Sequence, residues 1–188
     1  QDGGRPMLLQ RLADPAQAAR IAGEMEATLH RRGGPAAILF TSPGAPWRGR
    51  TLAQLADDWQ VGAVEAALRV IRDDGLPETR PRESIASFNM DEDDVRLLMR
   101  QPWMVTSSDG TDGHPRQYAS FPEKYARYVR AQAVLDLDTF IHRSTGLTAD
   151  NLGLHDRGRL RPGMHADVVV FDSQAYAPGA DYLTPDVL

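Results

Sequence analysis

The 188 residues are enough for one ordinary domain with a buried core, and 41% hydrophobic against 25% charged residues is the balance of a soluble globular chain. No apolar run approaches the roughly 20 residues of a membrane helix, and a formal charge of -5 argues against a general nucleic-acid binder, which carries a basic patch. Cysteine is absent, which removes disulfides, Cys-ligated zinc and thiol nucleophiles from this sequence but leaves the compartment open, cytoplasmic or exported.

In chain order, Asp14 followed by Pro15 predicts a helix start, an N-cap oxygen ahead of a residue suited to the first helical position. Ile21, Met25 and Leu29 then recur at helical spacing, and Arg31-Arg32-Gly33-Gly34 closes the helix. Ala36 to Thr41, between Pro35 and the Ser42-Pro43-Gly44 turn, predicts a short buried strand. Thr51 caps a short helix through Trp59, and a second from Val61 to Asp74 places Val64, Leu68 and Ile71 on one face before Gly75. Leu76 to Arg82, with two prolines, reads as a connection into a strand over Ser84 to Met90. Asp91 opens a further helix whose first turn holds Glu92, Asp93 and Asp94, where the helix dipole favours acids, and whose buried side is Val95, Leu98 and Met99.

Pro102 ends that helix, and Trp103 to Ser108 predicts a strand running into Asp109-Gly110. A Gly-, Asp- and Pro-rich loop from Gly110 to Pro122, a helix from Glu123 to Ala133 and another capped by Asp136 follow. Ala166 to Asp172, after Pro162-Gly163, predicts a sheet strand. This order predicts α/β architecture with parallel strands and a separate β tail. A complete eight-unit barrel needs ~200 to 250 residues, so the sequence, with about three suitable strands, fits only the last part of one.

Asp109 is the first candidate for chemistry, because an acid at the top of a strand before a glycine is where barrel enzymes place catalytic side chains. An Asp-Gly turn explains the same pair equally well. As a functional group it would take a proton from a metal-bound water and return it to a leaving amine. Arg116 suits a substrate carboxylate, to which its fork donates two parallel hydrogen bonds, and His114 stands two residues before it. A solvated loop arginine and a loop-ordering histidine are the plainer readings. His30, His142, His155 and His165 have no metal-ligand spacing and read as surface or packing groups. Serine-hydrolase and phosphate-loop motifs are missing. Of 21 basic residues only Lys124 is lysine, a composition bias rather than twenty recognition sites.

Three stretches carry a resemblance. Ser87-Phe88-Asn89-Met90-Asp91-Glu92-Asp93-Asp94-Val95 with Arg100-Gln101-Pro102-Trp103-Met104-Val105 and Ser107-Ser108-Asp109-Gly110 is the first. Gly113-His114-Pro115-Arg116 with Tyr118, Phe121 and Pro122 is the second, and Thr145-Gly146-Leu147-Thr148-Ala149 through Gly158 to Asp172 is the third. Together they resemble the N-acyl-D-amino-acid deacylase (D-aminoacylase) branch of the metal-dependent amidohydrolase superfamily. The resemblance implies an α/β fold: the C-terminal part of a TIM-like (β/α)8 barrel over 1–157, then part of a small β-sandwich over 158–188.

It also implies zinc-dependent hydrolysis of an N-acyl amino acid. Asp109 would be the proton shuttle beside the metal or weakly ligating it, with Arg116 and His114 on the substrate side. The main metal ligands of that branch would lie in an N-terminal barrel portion upstream of Gln1, so the chain is expected to be a fragment that depends on that portion as its partner. The sequence departs from the branch at Ala119, where glycine is usual, a change expected to bear on the loop but not on the chemistry. Another amidohydrolase reaction, on cyclic amides or dipeptide-like substrates, and a non-catalytic α/β module remain the rival readings.

Overall fold

The computed structural model describes residues 3–72 and 84–187. Asp73 and Asp74 at the end of the expected Val61–Asp74 helix, Gly75 and the Leu76–Arg82 connection therefore lie outside the described residues. The chain divides into two compact units, Gln1–Asn89 and Met90–Leu188.

In the first unit a helix not anticipated from sequence, α1 (Gly4–Ala13), precedes α2 (Pro15–Arg31). Asp14 separates the two as expected: its side chain accepts the backbone N–H groups of Ala16 and Gln17, two of the donors that a helix start leaves unpaired. A short 3-10 turn leads into β1 (Ile38–Phe40). Thr51 then caps α3 (Leu52–Asp58) in a reciprocal box with Gln54, and α4 (Ala63–Arg72) follows. These elements enclose a core of Phe40, Trp47, Leu52, Leu55, Ala66 and Val70, with Leu29 and Ile38 packed against it. Phe40 meets Trp47 edge-on with ring centroids 6.4 Å apart.

β1 pairs with β2 (Ile85–Ser87) through Ile38↔Ser87, Leu39↔Ala86 and Phe40↔Ile85. The pairing is antiparallel, which corrects the parallel arrangement expected for these strands. Its cause is local. Thr41 N–H donates to the Ser84 carbonyl at 2.9 Å, Thr41 and Ser84 hydroxyls meet at 3.0 Å, and Ser84 N–H donates to Ser42 Oγ at 2.6 Å. The chain therefore leaves β1 and re-enters β2 at the same end, which makes a wide hairpin rather than a crossover.

All regular secondary structure in the second unit is helical among the described residues. α5 (Glu92–Met99) starts at Asp91, whose side chain accepts the Asp93 N–H, as the acidic first turn predicted. The expected strand over Trp103 to Ser108 does not form: Trp103 lies in a turn, 61% exposed, and the residues after it have no ladder partner among the described residues. The expected loop before Glu123 is in fact helix. α6 (Arg116–Glu123) continues into a π-helical segment, Lys124–Ala131, with Pro122 inside α6. Pro122 lacks an N–H and interrupts the ladder just before the wider turn begins, so it disturbs the helix without ending it. α7 (Leu137–Ser144), capped by Asp136, and α8 (Gly146–Asn151) complete the helices.

The predicted strand at Ala166 to Asp172 forms no sheet among the described residues, and Val169 and Val170 are 83% and 91% exposed. Its surroundings dock instead through aromatic rings. Phe171 and Tyr176 pack on Tyr125 at 5.8 and 5.6 Å, and the Tyr125 hydroxyl donates to the Ser173 carbonyl at 3.0 Å.

Candidate functional site

The three residues singled out from sequence meet in the second unit. The irregular stretch after α5 ends at Asp109, whose φ of 48° is left-handed and costs a side chain more than it costs glycine. Gly110 follows where a Cβ would lie 3.3 Å from the Gln117 Cα, so the loop folds tightly against the start of α6. Arg116, the first residue of α6, thereby faces back toward the carboxylate: its Nη1 lies 2.9 Å from Asp109 Oδ2. Nη2 reaches Thr111 Oγ1 only at 3.5 Å, and the buried Nε has no partner.

His114 orders this turn. Its Nδ1 accepts the Arg116 backbone N–H at 3.1 Å, which places the proton of the neutral ring on Nε2, and its ring meets Tyr182 edge-on at 5.3 Å. Burial lowers the His114 pKa below its ordinary value, the Arg116 cation lowers it further, and Asp109 pulls weakly the other way. The imidazole is therefore a neutral donor-acceptor at pH 7. The Asp109 side chain is 78% exposed and that of Arg116 38%, so their ion pair is open to solvent and contributes little to stability. Such a pair is readily exchanged: a ligand carboxylate can replace Asp109 on the Arg116 fork.

Ala119, the departure from the family pattern, lies buried within α6 rather than in a loop. The residue that sequence reading passed over is Lys124. It is 5% exposed, and its Nζ donates to Thr106 Oγ1, three residues before Asp109. The one signal for it was its solitude among twenty arginines.

Among the described residues no group of three His, Asp or Glu side chains converges on a point that could hold a metal ion. Zinc takes three or four protein ligands. Asp109 supplies one carboxylate and His114 Nδ1 is already engaged, so these residues do not make a zinc site by themselves.

Asp109 and Arg116 thus share a tight turn that leads into α6, and comparison with known proteins identifies the family. The chain belongs to the amidohydrolase family, whose model matches residues 24–185. Within that family it is 36% identical over 152 residues to an N-acyl-D-glutamate deacylase of Alcaligenes xylosoxydans xylosoxydans, covering 79% of this chain and 29% of the relative. It is 39% identical over 120 residues to a D-aminoacylase of the same organism, covering 60% and 24%. The crystal structure of N-acyl-D-glutamate deacylase from Bordetella bronchiseptica, complexed with zinc and a phosphonate mimic of the tetrahedral intermediate, superposes with a TM-score of 0.62 at 31% identity, covering 83% of this chain and 32% of that one. The chain thus spans less than a third of the length of each. The described residues contain no helix long and apolar enough to cross a membrane.

Proposed function

We propose that the protein carrying this chain hydrolyses the amide bond of N-acyl-D-amino acids and that this chain contributes the proton-transfer and carboxylate-binding side chains. The reading is carried by one observation: Asp109 and Arg116 lie 2.9 Å apart on an exposed turn in a chain of the amidohydrolase family. Asp109 takes a proton from the attacking water as the carbon–oxygen bond forms. It returns that proton to the amine nitrogen as the carbon–nitrogen bond breaks, giving a carboxylate and a free D-amino acid. Arg116 exchanges Asp109 for the α-carboxylate of the substrate, and His114 fixes the Arg116 backbone and offers Nε2–H to the bound substrate. Zinc is required by the whole protein and is held by side chains outside this sequence, in the N-terminal barrel portion that serves as partner to this chain.

On this reading residues 1–157 belong to the C-terminal part of the (β/α)8 barrel and 158–188 to a partial β-sandwich. The similarity over 83% of the chain to a single solved deacylase supports it.

The test is hydrolysis of paired N-acetyl-D- and N-acetyl-L-amino acids by the zinc-loaded full-length protein. Activity confined to the D-series is expected, with a loss of about 10²- to 10⁴-fold in kcat for Asp109→Ala. Arg116→Ala is expected to act chiefly on KM, raising it about tenfold or more as one charged anchor is removed. Wild-type rates in Asp109→Ala would overturn the assignment. Absence of hydrolysis in the wild-type protein would favour a non-catalytic role.

A further inference from the structure

The stretch from Arg100 to Asp109 raises a mechanical question. Among the described residues the backbone N–H groups of 105–109 find no strand partner, and Asp109 N–H reaches only its neighbour Ser107 Oγ at 3.4 Å. A catalytic carboxylate must nevertheless be held to within a fraction of an ångström. Two buried cations supply the missing restraint. Arg143, 6% exposed on α7, donates from Nη1 to the Met99 carbonyl at the head of the stretch. Lys124, at the start of the π-helical segment, donates from Nζ to Thr106 Oγ1 near its foot.

We propose that Lys124, through Thr106, is a positioning residue for Asp109, with Arg143 fixing the other end of the same stretch. This rests on the reading of Asp109 as the proton-transfer group.

Neither cation has a carboxylate within ion-pair distance among the described residues; Lys124 sits 5.9 Å from the Phe140 ring centre, and the charge of Arg143 disfavours its protonated form. Two unpaired buried cations side by side cost stability. Side chains that break the local rules in this way are expected at functional sites, where geometry outweighs stability. Only Ser107 and Ser108 separate Thr106 from Asp109, at most about 10 Å of chain, so a shift at Thr106 is passed on to the carboxylate.

The experiment uses the zinc-loaded full-length protein and the N-acetyl-D-amino acid it hydrolyses best, with Asp109→Ala as reference. Lys124→Met and Thr106→Val are each expected to lower kcat about tenfold to a hundredfold, with KM within about twofold. The double variant is expected to be no slower than the slower single, because both remove the same tie. Thr106→Ser, which keeps the acceptor oxygen, is expected to recover most of the loss. Lys124→Met is expected not to melt lower than the wild type, which separates positioning from loss of fold. If Lys124→Met fails to fold, Thr106→Val and Thr106→Ser carry the decision.

Wild-type kcat in Thr106→Val beside an inactive Asp109→Ala would overturn the positioning role alone. Losses that add in the double variant and track melting temperature would do the same. An active Asp109→Ala would remove both the catalytic reading and the positioning role built on it.

Discussion

Lys124 carries its ammonium into the interior of the second unit, and burial, helped by the neighbouring Arg143, lowers its pKa from 10.5 to about 8. Below pH 8 the group is charged both folded and unfolded, and the full cost of burying the charge is present. Between about 8 and 10.5 the folded chain releases the proton first, the unfolded chain binds more protons, and this group's contribution to stability rises with pH. Lys124→Met is accordingly expected to be about 1 to 4 kcal/mol more stable than the wild type at pH 7. Urea unfolding should show that advantage shrinking as the pH approaches 10.5. His114 behaves in the opposite pH range. Its folded pKa lies below 6.5, so protonation of the unfolded chain wins as pH falls through 6.5 and the ring's contribution to stability declines. NMR titration of the ring should give a midpoint below 6.5. Asp109, His114 and Arg116 were legible in sequence because a short motif holds them close together. Lys124 was not, because a single buried lysine belongs to no periodic pattern and its partner Thr106 stands 18 residues away.

The helices follow their caps. Thr51→Ala removes the acceptor for the Gln54 N–H, and calorimetry of the full-length protein should register a loss of about 1 kcal/mol. Ala119→Gly, which restores the residue usual in the family, is expected to cost about 1 kcal/mol because the position is inside α6. A neutral or stabilising outcome would mean that α6 does not persist there. The N-caps at Asp14, Thr51, Asp91 and Asp136 each sit one residue before an observed helix, since an oxygen that accepts a backbone N–H is a local cause with a local effect. Strands depend on partners elsewhere in the chain, which is why 103–108 and 166–172 read as strands but lack a ladder among the described residues, and why the direction of β1 against β2 was misjudged. α6 was hidden by Pro115 and Pro122, which read as loop signals although the first lies at the helix start, where its fixed φ suits a helix.

At the scale of the molecule, the order of predicted elements disclosed the α/β class and the three motif stretches carried the resemblance to the family, whereas the division at Asn89 left no mark in composition. The exposed run Val168, Val169 and Val170 presents contiguous apolar side chains to solvent, a surface suited to association with another chain. Light scattering of the 188-residue chain alone should therefore detect self-association that Val169→Lys together with Val170→Glu reduces. Unchanged scattering would locate the adhesive surface elsewhere. Two of the three tryptophans also turn the molecule into its own optical reporter. Trp47 is buried in the core of the first unit, while Trp103 lies open at the head of the stretch that ends in Asp109. Emission from the first should be blue-shifted and shielded from acrylamide, and emission from the second red-shifted and readily quenched. Any event that covers the stretch leading to the carboxylate would then announce itself as a loss of quenchable light.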